Sequence, residues 1–130
     1  MPNQNKPYRF TFEKLDVWWN AIALGKLVYK ITNDFPREER YSFTDQVRRS
    51  AVSVSSNIAE GSGKSSTKEQ SRFLNMAYSS LMELMSQLML AKELNYINDE
   101  HLMEVREKII HIANQLNNLN KYYQNRTKTK

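Results

Sequence analysis

Apolar residues return every three to four positions along almost the whole chain, and no stretch alternates apolar and polar residues between hairpin-type turns. That pattern predicts helices and no sheet. A first helix is expected from about Leu15 to Thr32, with Leu15, Trp18, Ile22, Gly25 and Tyr29 on its inner stripe. It should stop at the Asn33-Asp34-Phe35-Pro36 turn, because the residue before a proline is pushed out of the helical region. A second helix should start near Ser42 as its cap, with Asp45 in the first turn, and send Phe43, Val47, Ala51, Val54 and Ile58 inward. Gly61 and Gly63 are expected to end it, Gly61 at a positive φ. Ser66-Thr67-Lys68-Glu69 has the pattern of a capping box and opens a long third helix, whose inner stripe is Phe73, Ala77, Leu81, Leu84, Leu88 and Ala91. After a break at Asn95 to Asn98, Asn98 caps a fourth helix with the cleanest stripe, Leu102, Val105, Ile109, Ile112, Leu116, Leu119 and Tyr123.

Four helices joined by short connections prefer antiparallel neighbours, which predicts an up-and-down four-helix bundle. The chain carries more apolar surface than one such bundle needs. Leu24, Leu27 and Ile31 fall opposite Ile22 on the first helix, and Tyr78, Met82, Met85 and Met89 run beside the inner stripe of the third. The methionine stripe fits either a wide core filled by flexible side chains or a subunit interface. The same surplus on two helices favours a homo-oligomer, since a monomer exposing both would present an unusually large apolar patch.

Composition narrows the class of function. The chain has 130 residues, 40% of them apolar and 25% charged, with no uninterrupted apolar run of membrane-spanning length. Met1 to Tyr8 lacks the apolar core of a signal peptide, and without cysteine there is no disulfide, thiol nucleophile or thiolate metal site, so a cytoplasmic protein is expected. The net charge of +5 admits an acidic partner, nucleic acid first, although the excess is spread over both halves and only Lys121 to Lys130 is basic without acids.

Chemical motifs fail on inspection. Gly61-Ser62-Gly63-Lys64-Ser65-Ser66 has the end of a phosphate-binding loop, but Ile58 stands where that motif needs its first glycine, and a helix precedes it where a strand is required. The serines more simply form an interhelical loop, whose following helix N-terminus offers free amides to an anion. His101 and His111 are ten residues apart on one helix and cannot share a metal; His111 lacks the sequence context of a phosphotransfer histidine. Glu83, Glu93, Glu104 and Glu107 do not form the paired Glu-x-x-His sets of a di-iron bundle. A nucleophile, base and orienting acid cannot be assembled from these residues with any specificity, and no cofactor or metal is expected. On the second helix Arg49 stands among Ser53, Ser56 and Glu60, open either to phosphate or to pairing with Asp45 four residues earlier.

Taken together, Phe35-Pro36, Gln46-Val47-Arg48-Arg49-Ser50-Ala51-Val52-Ser53-Val54, Ser56-Asn57-Ile58-Ala59-Glu60-Gly61 and Ala77-Tyr78-Ser79-Ser80-Leu81-Met82-Glu83-Leu84 resemble the bacterial four helix bundle protein family. This family is encoded in intervening sequences of 23S ribosomal RNA genes and is similar to the accessory variability protein of diversity-generating retroelements. The resemblance covers about residues 10 to 122. Ser50 and Ser79 stand where the family pattern leads one to expect Ala and Gly. The resemblance implies a homopentameric barrel, no catalytic activity, and partners that include RNA or DNA and a reverse transcriptase or other protein. It marks Arg48, Arg49, Ser53, Asn57, Glu60 and Gly61 as signature positions, with structure favoured over chemistry: Asn57 bonding a neighbouring helix, Glu60 capping or pairing across the loop.

The expected fold is therefore all-α, an up-and-down antiparallel four-helix bundle in a homo-oligomeric, pentameric barrel. Residues 1–13 are expected as an N-terminal arm, 14–123 as the bundle and 124–130 as a disordered basic tail. The expected function is a non-catalytic RNA- or DNA-binding accessory protein, away from membranes. Its candidate phosphate contacts are Arg48, Arg49, Lys64, Lys68, Arg72, Lys121, Arg126, Lys128 and Lys130, and its candidate oligomer contacts Leu24, Leu27, Ile31, Tyr78, Met82, Met85 and Met89. The alternative is a protein-interaction scaffold with no nucleic-acid role.

Overall fold

In the computed structural model residues 9–128 are described, the last two by their backbone alone. Four helices follow one another: α1 (Asp16–Thr32), α2 (Phe43–Ser62), α3 (Thr67–Glu93) and α4 (Asp99–Lys128). Short 3-10 turns at Thr11–Lys14 and Arg37–Glu39 precede α1 and α2, and there is no strand among the described residues. Each helix packs on its neighbours in the chain and α1 closes the ring against α4, while the diagonal pairs stay apart. This is the all-α four-helix arrangement that the short connections predict.

The ends of the helices follow local chemistry. Ser66 accepts from the Glu69 amide at 3.1 Å and Asn98 from the His101 amide at 2.7 Å, so α3 and α4 are capped by the residues the sequence marks. The α3 terminus is a Schellman motif with Asn95 at φ 64°: Tyr96 N–H donates to Ala91 O at 2.8 Å and Asn95 N–H to Lys92 O at 3.0 Å. Ser42 departs from expectation. It occupies the N-cap position of α2 but makes no capping bond, because its hydroxyl donates to the Glu39 carboxylate at 3.0 Å. The start of α2 is held instead by aromatic packing, in which Phe35 stacks on Phe43 and meets Tyr96.

The inner face of α1 also departs from expectation. Val17, Ala21, Leu24, Val28 and Ile31 are buried there, whereas Ile22 and Tyr29 are exposed. Two apolar stripes compete along this helix. The one with spacings of four, three, four and three stays on one side of the helix and carries the small Ala21, which lets the neighbouring helix approach. Leu24 and Ile31 are thus core residues, and Leu27 packs half-buried beside them; none of the three forms a separate outer face. Leu24→Ala is expected to lower the unfolding free energy by about 2–5 kcal/mol, and Ile22→Ala by less than about 1 kcal/mol, in urea melts. Leu24 is 0% exposed and Ile22 39%, so the reverse order would contradict this assignment.

At the chain ends the packed unit is longer than expected. Within the anticipated arm, Phe12 lies 4.6 Å from the Trp18 ring and the Trp19 indole donates to Glu13 O at 2.9 Å. At the other end α4 runs to Lys128 where a disordered tail was expected from 124. Arg126 provides the reason: it donates to Gln70 Oε1 on α3 at 3.1 Å and lies over the rings of Tyr122 and Tyr123.

Candidate nucleic-acid interface

Small residues on α2 bring it close to α3 and so set the frame. Ser53 and Ser80 hydroxyls meet at 2.8 Å, and Ser50 donates to Glu83 Oε1 at 3.1 Å. Asn57 was expected to bond a neighbouring helix. Its amide donates instead to Ser53 O and Oγ, at 2.9 and 3.0 Å, holding the Ser53 hydroxyl in place within the same helix. Gly61 was expected to end α2 at a positive φ, but no glycine here has one and the helix continues to Ser62. What requires glycine is distance: a Cβ at Gly61 would sit 2.9 Å from Phe73 Cβ and 3.5 Å from Gln70 O. Glu60 is exposed at the same end of the helix and is felt electrostatically by Arg72.

Because the helices alternate in direction, the end of α2, the start of α3, the end of α4 and the turn before α1 share one end of the bundle. Basic side chains gather there. Lys64 and Arg72 flank the Phe73 ring, at 5.1 and 4.5 Å from its centre. Arg72 also grips Glu69 through Nε and Nη2 at 2.9 and 3.1 Å. That hydrogen-bonded fork holds the Glu69 carboxyl below its ordinary pKa and raises that of Arg72. The pair is solvated and therefore weak, so Arg72 can turn to a more highly charged anion. On the other side of α3 lies Arg126, bonded to the buried Gln70. Burial pushes the Tyr123 phenol beneath it upward. Lys68 and Lys121 are exposed, Lys121 following Asn120, which accepts from Ser71 at 2.6 Å.

Of the candidate phosphate contacts, Lys64, Lys68, Arg72, Lys121 and Arg126 thus converge on one end. The side chain of Lys128, in the last turn of α4, is not described, and Lys130 lies outside the described residues. Arg48 and Arg49 do not join them. Arg49 pairs with Asp45 at 2.9 Å on the outer face of α2. Arg48 reaches back to α1, donating to Thr32 Oγ1 at 2.8 Å and Asn33 Oδ1 at 3.1 Å, with its guanidinium 4.7 Å from the Tyr29 ring. Those partners are on another helix, so periodicity along α2 does not reveal them. Lys14 and Tyr122 were not among the sequence candidates. Both are exposed at this end, and Tyr122 presents a ring beside Arg126 on which a base can stack. The signal for Tyr122 was its spacing, one helical turn before Arg126.

The remaining chemistry is sparse. His111 borders a cleft of about 260 Å³ between α1 and α4 with Glu104, Glu107 and Lys108. Among the described residues no group of three or more His, Asp or Glu side chains is placed to hold a metal ion, and no helix is long and apolar enough to cross a membrane.

The second apolar surplus lies along the seam of α3 and α4. The Ser71–Asn120 hydrogen bond fixes that seam and its register. Counting by helical turns from Ser71 gives Tyr78, Met82, Met85 and Met89; counting back from Asn120 gives Ala113, Ile110 and Met103. Tyr78 and Met85 pack partly on the core, whereas Met82, Met89, Met103 and Ile110 are exposed.

A family model described as 23S rRNA-intervening sequence protein matches residues 13–118. No curated protein matches the chain.

Proposed function

Since the chain belongs to the 23S rRNA-intervening sequence protein family, we propose that it acts as a non-catalytic, homo-oligomeric bundle that binds RNA through its basic end. The observation that carries this reading is the convergence of Lys64, Lys68, Arg72, Lys121 and Arg126 where three helix termini meet, beside the exposed ring of Tyr122. These side chains supply charge and a stacking surface but no pattern of donors matched to base edges, so binding is largely independent of sequence. The exposed apolar seam of α3 and α4 supports self-assembly, and the family resemblance makes a pentameric barrel the proposed form. A chain without cysteine suits the reducing cytoplasm.

Fluorescence anisotropy with a labelled single-stranded RNA across a salt series tests the proposal. Four to five neutralised phosphates give a slope of about −3 in log K against log salt. An affinity that does not change with salt would remove the electrostatic mechanism. The scaffold reading, favoured by the apolar seam alone, predicts that substitutions at Met82 and Met89 change partner binding while those at Lys68 and Arg72 do not.

A further inference from the structure

At the opposite end of the bundle, where α1 hands over to α2, lies a cleft of about 550 Å³ bordered by Thr32, Asn33, Arg37, Arg40, Thr44 and Arg48. We propose that this cleft is a binding site for a phosphomonoester, the terminal phosphate of a nucleotide or of an RNA 5′ end. Three guanidiniums border it and no carboxylate does.

Of the acids near these residues in the chain, Glu39 accepts from the Tyr96 hydroxyl at 2.9 Å and from Ser42, Asp45 pairs with Arg49, and Asp34 and Glu38 are exposed and do not border the cleft. Among the described residues neither Arg37 nor Arg40 is in an ion pair. Arg48 is already oriented, since Thr32 Oγ1 and Asn33 Oδ1 fix its guanidinium without neutralising it. A fixed, charged fork of donors suits a phosphate better than a mobile one.

Two further features point into the same place. The 20-residue helix α2 begins there with no side chain capping its first turn, because the Ser42 hydroxyl is turned to Glu39. Its first amides and the positive end of its dipole are therefore available to an anion. Thr44, in that first turn, is only 5% exposed, and its hydroxyl has no hydrogen-bond partner. A buried hydroxyl left unpaired is unfavourable, and an anion's oxygen would satisfy it. The concave shape and the number of cations favour a dianionic terminal group. A phosphodiester within a strand carries one charge and has a sugar on either side, which suits an open groove.

The test uses the full chain and compares one RNA oligonucleotide bearing a 5′ phosphate with the same RNA bearing a 5′ hydroxyl, alongside adenosine monophosphate and inorganic phosphate measured by calorimetry. The phosphorylated RNA is expected to bind about tenfold more tightly, and the Arg37→Gln/Arg40→Gln variant to lose that preference, as expected when charge-assisted bonds are removed. Adenosine monophosphate binding as tightly as the RNA end would identify a free nucleotide as the source and still support the site. Thr44→Val guards against misfolding: it is expected to raise the thermal midpoint without ligand and to weaken phosphate binding. Phosphate binding unchanged in both variants, or absent from the wild type, would overturn the proposal. Binding of the 5′-hydroxyl RNA by the other end is expected to be unaffected, so this site and the basic end fail or succeed separately.

Discussion

Gly61→Val is expected to destabilise the fold by about 3 kcal/mol or more, while Gly61→Ala loses about 1 kcal/mol, both read from urea or thermal unfolding. On helix propensity alone, alanine should be better than glycine inside a helix by about 1 kcal/mol. Packing reverses that sign here. The new Cβ would lie 2.9 Å from Phe73 Cβ, an atom fixed to the α3 backbone that cannot swing aside as a side-chain tip would. Relief therefore requires α2 and α3 to separate, which loosens the Ser53–Ser80 and Ser50–Glu83 contacts above it. Valine adds two methyl groups at the same point and a β-branch inside a helix. A stabilised Gly61→Ala protein would show that α2 and α3 are not in tight contact there.

If copies assemble on the α3–α4 seam as proposed, Met89→Glu combined with Ile110→Glu is expected to run as single chains of 15.3 kDa where the wild type runs larger, read by light scattering after size exclusion. Both side chains are exposed in the isolated bundle, Ile110 at 52% and Met89 at 48%, so the fold itself should melt nearly unchanged. In an assembly built on the α3–α4 seam, each copy would bury two unpaired carboxylates, at several kcal/mol apiece. Symmetry repeats that penalty at every interface. A variant that keeps the wild-type mass would place the subunit contact on another face, and a wild type that runs as a single chain would remove the homo-oligomer from the account.

Three of the four helices were legible because each carries one dominant 3.6-residue stripe. Val54 and Ile58 on α2, Leu81, Leu84 and Leu88 on α3 and Ile109, Ile112 and Leu116 on α4 are buried as their spacing predicts. On α1 the stripe expected from sequence holds only at its start, where Leu15 and Trp18 pack partly buried on the core, and fails at Ile22 and Tyr29, because large apolar residues occupy nearly every side of that helix. The heptad-like Val17, Ala21, Leu24, Val28 and Ile31 won because a bundle seam rewards regular spacing and a small residue at the closest approach. Caps at Ser66 and Asn98 were readable for the same local reason that Ser42 was misread: the three look alike in sequence, but only at Ser42 does a carboxylate one turn earlier take the hydroxyl.

The candidate site was legible in part. The basic residues could be named, but their grouping depends on which helix ends coincide in space, so Arg48 and Arg49 were counted with Lys64 and Arg72 although they sit apart. Arg48 belongs to the α1–α2 corner, a place built from the turn after Pro36 and the uncapped start of α2. No periodic pattern marks such a corner.

The account's central claim is that the basic end holds RNA by charge. Its most direct test is RNA affinity across a salt series for the wild type and for a Lys64→Gln/Lys68→Gln/Arg72→Gln variant. Loss of three phosphate contacts should weaken binding by about ten- to a hundredfold and flatten the salt slope by about 2, with the thermal midpoint nearly unchanged. Equal affinity and an equal slope in the two proteins would contradict the claim and favour the scaffold reading of the apolar seam.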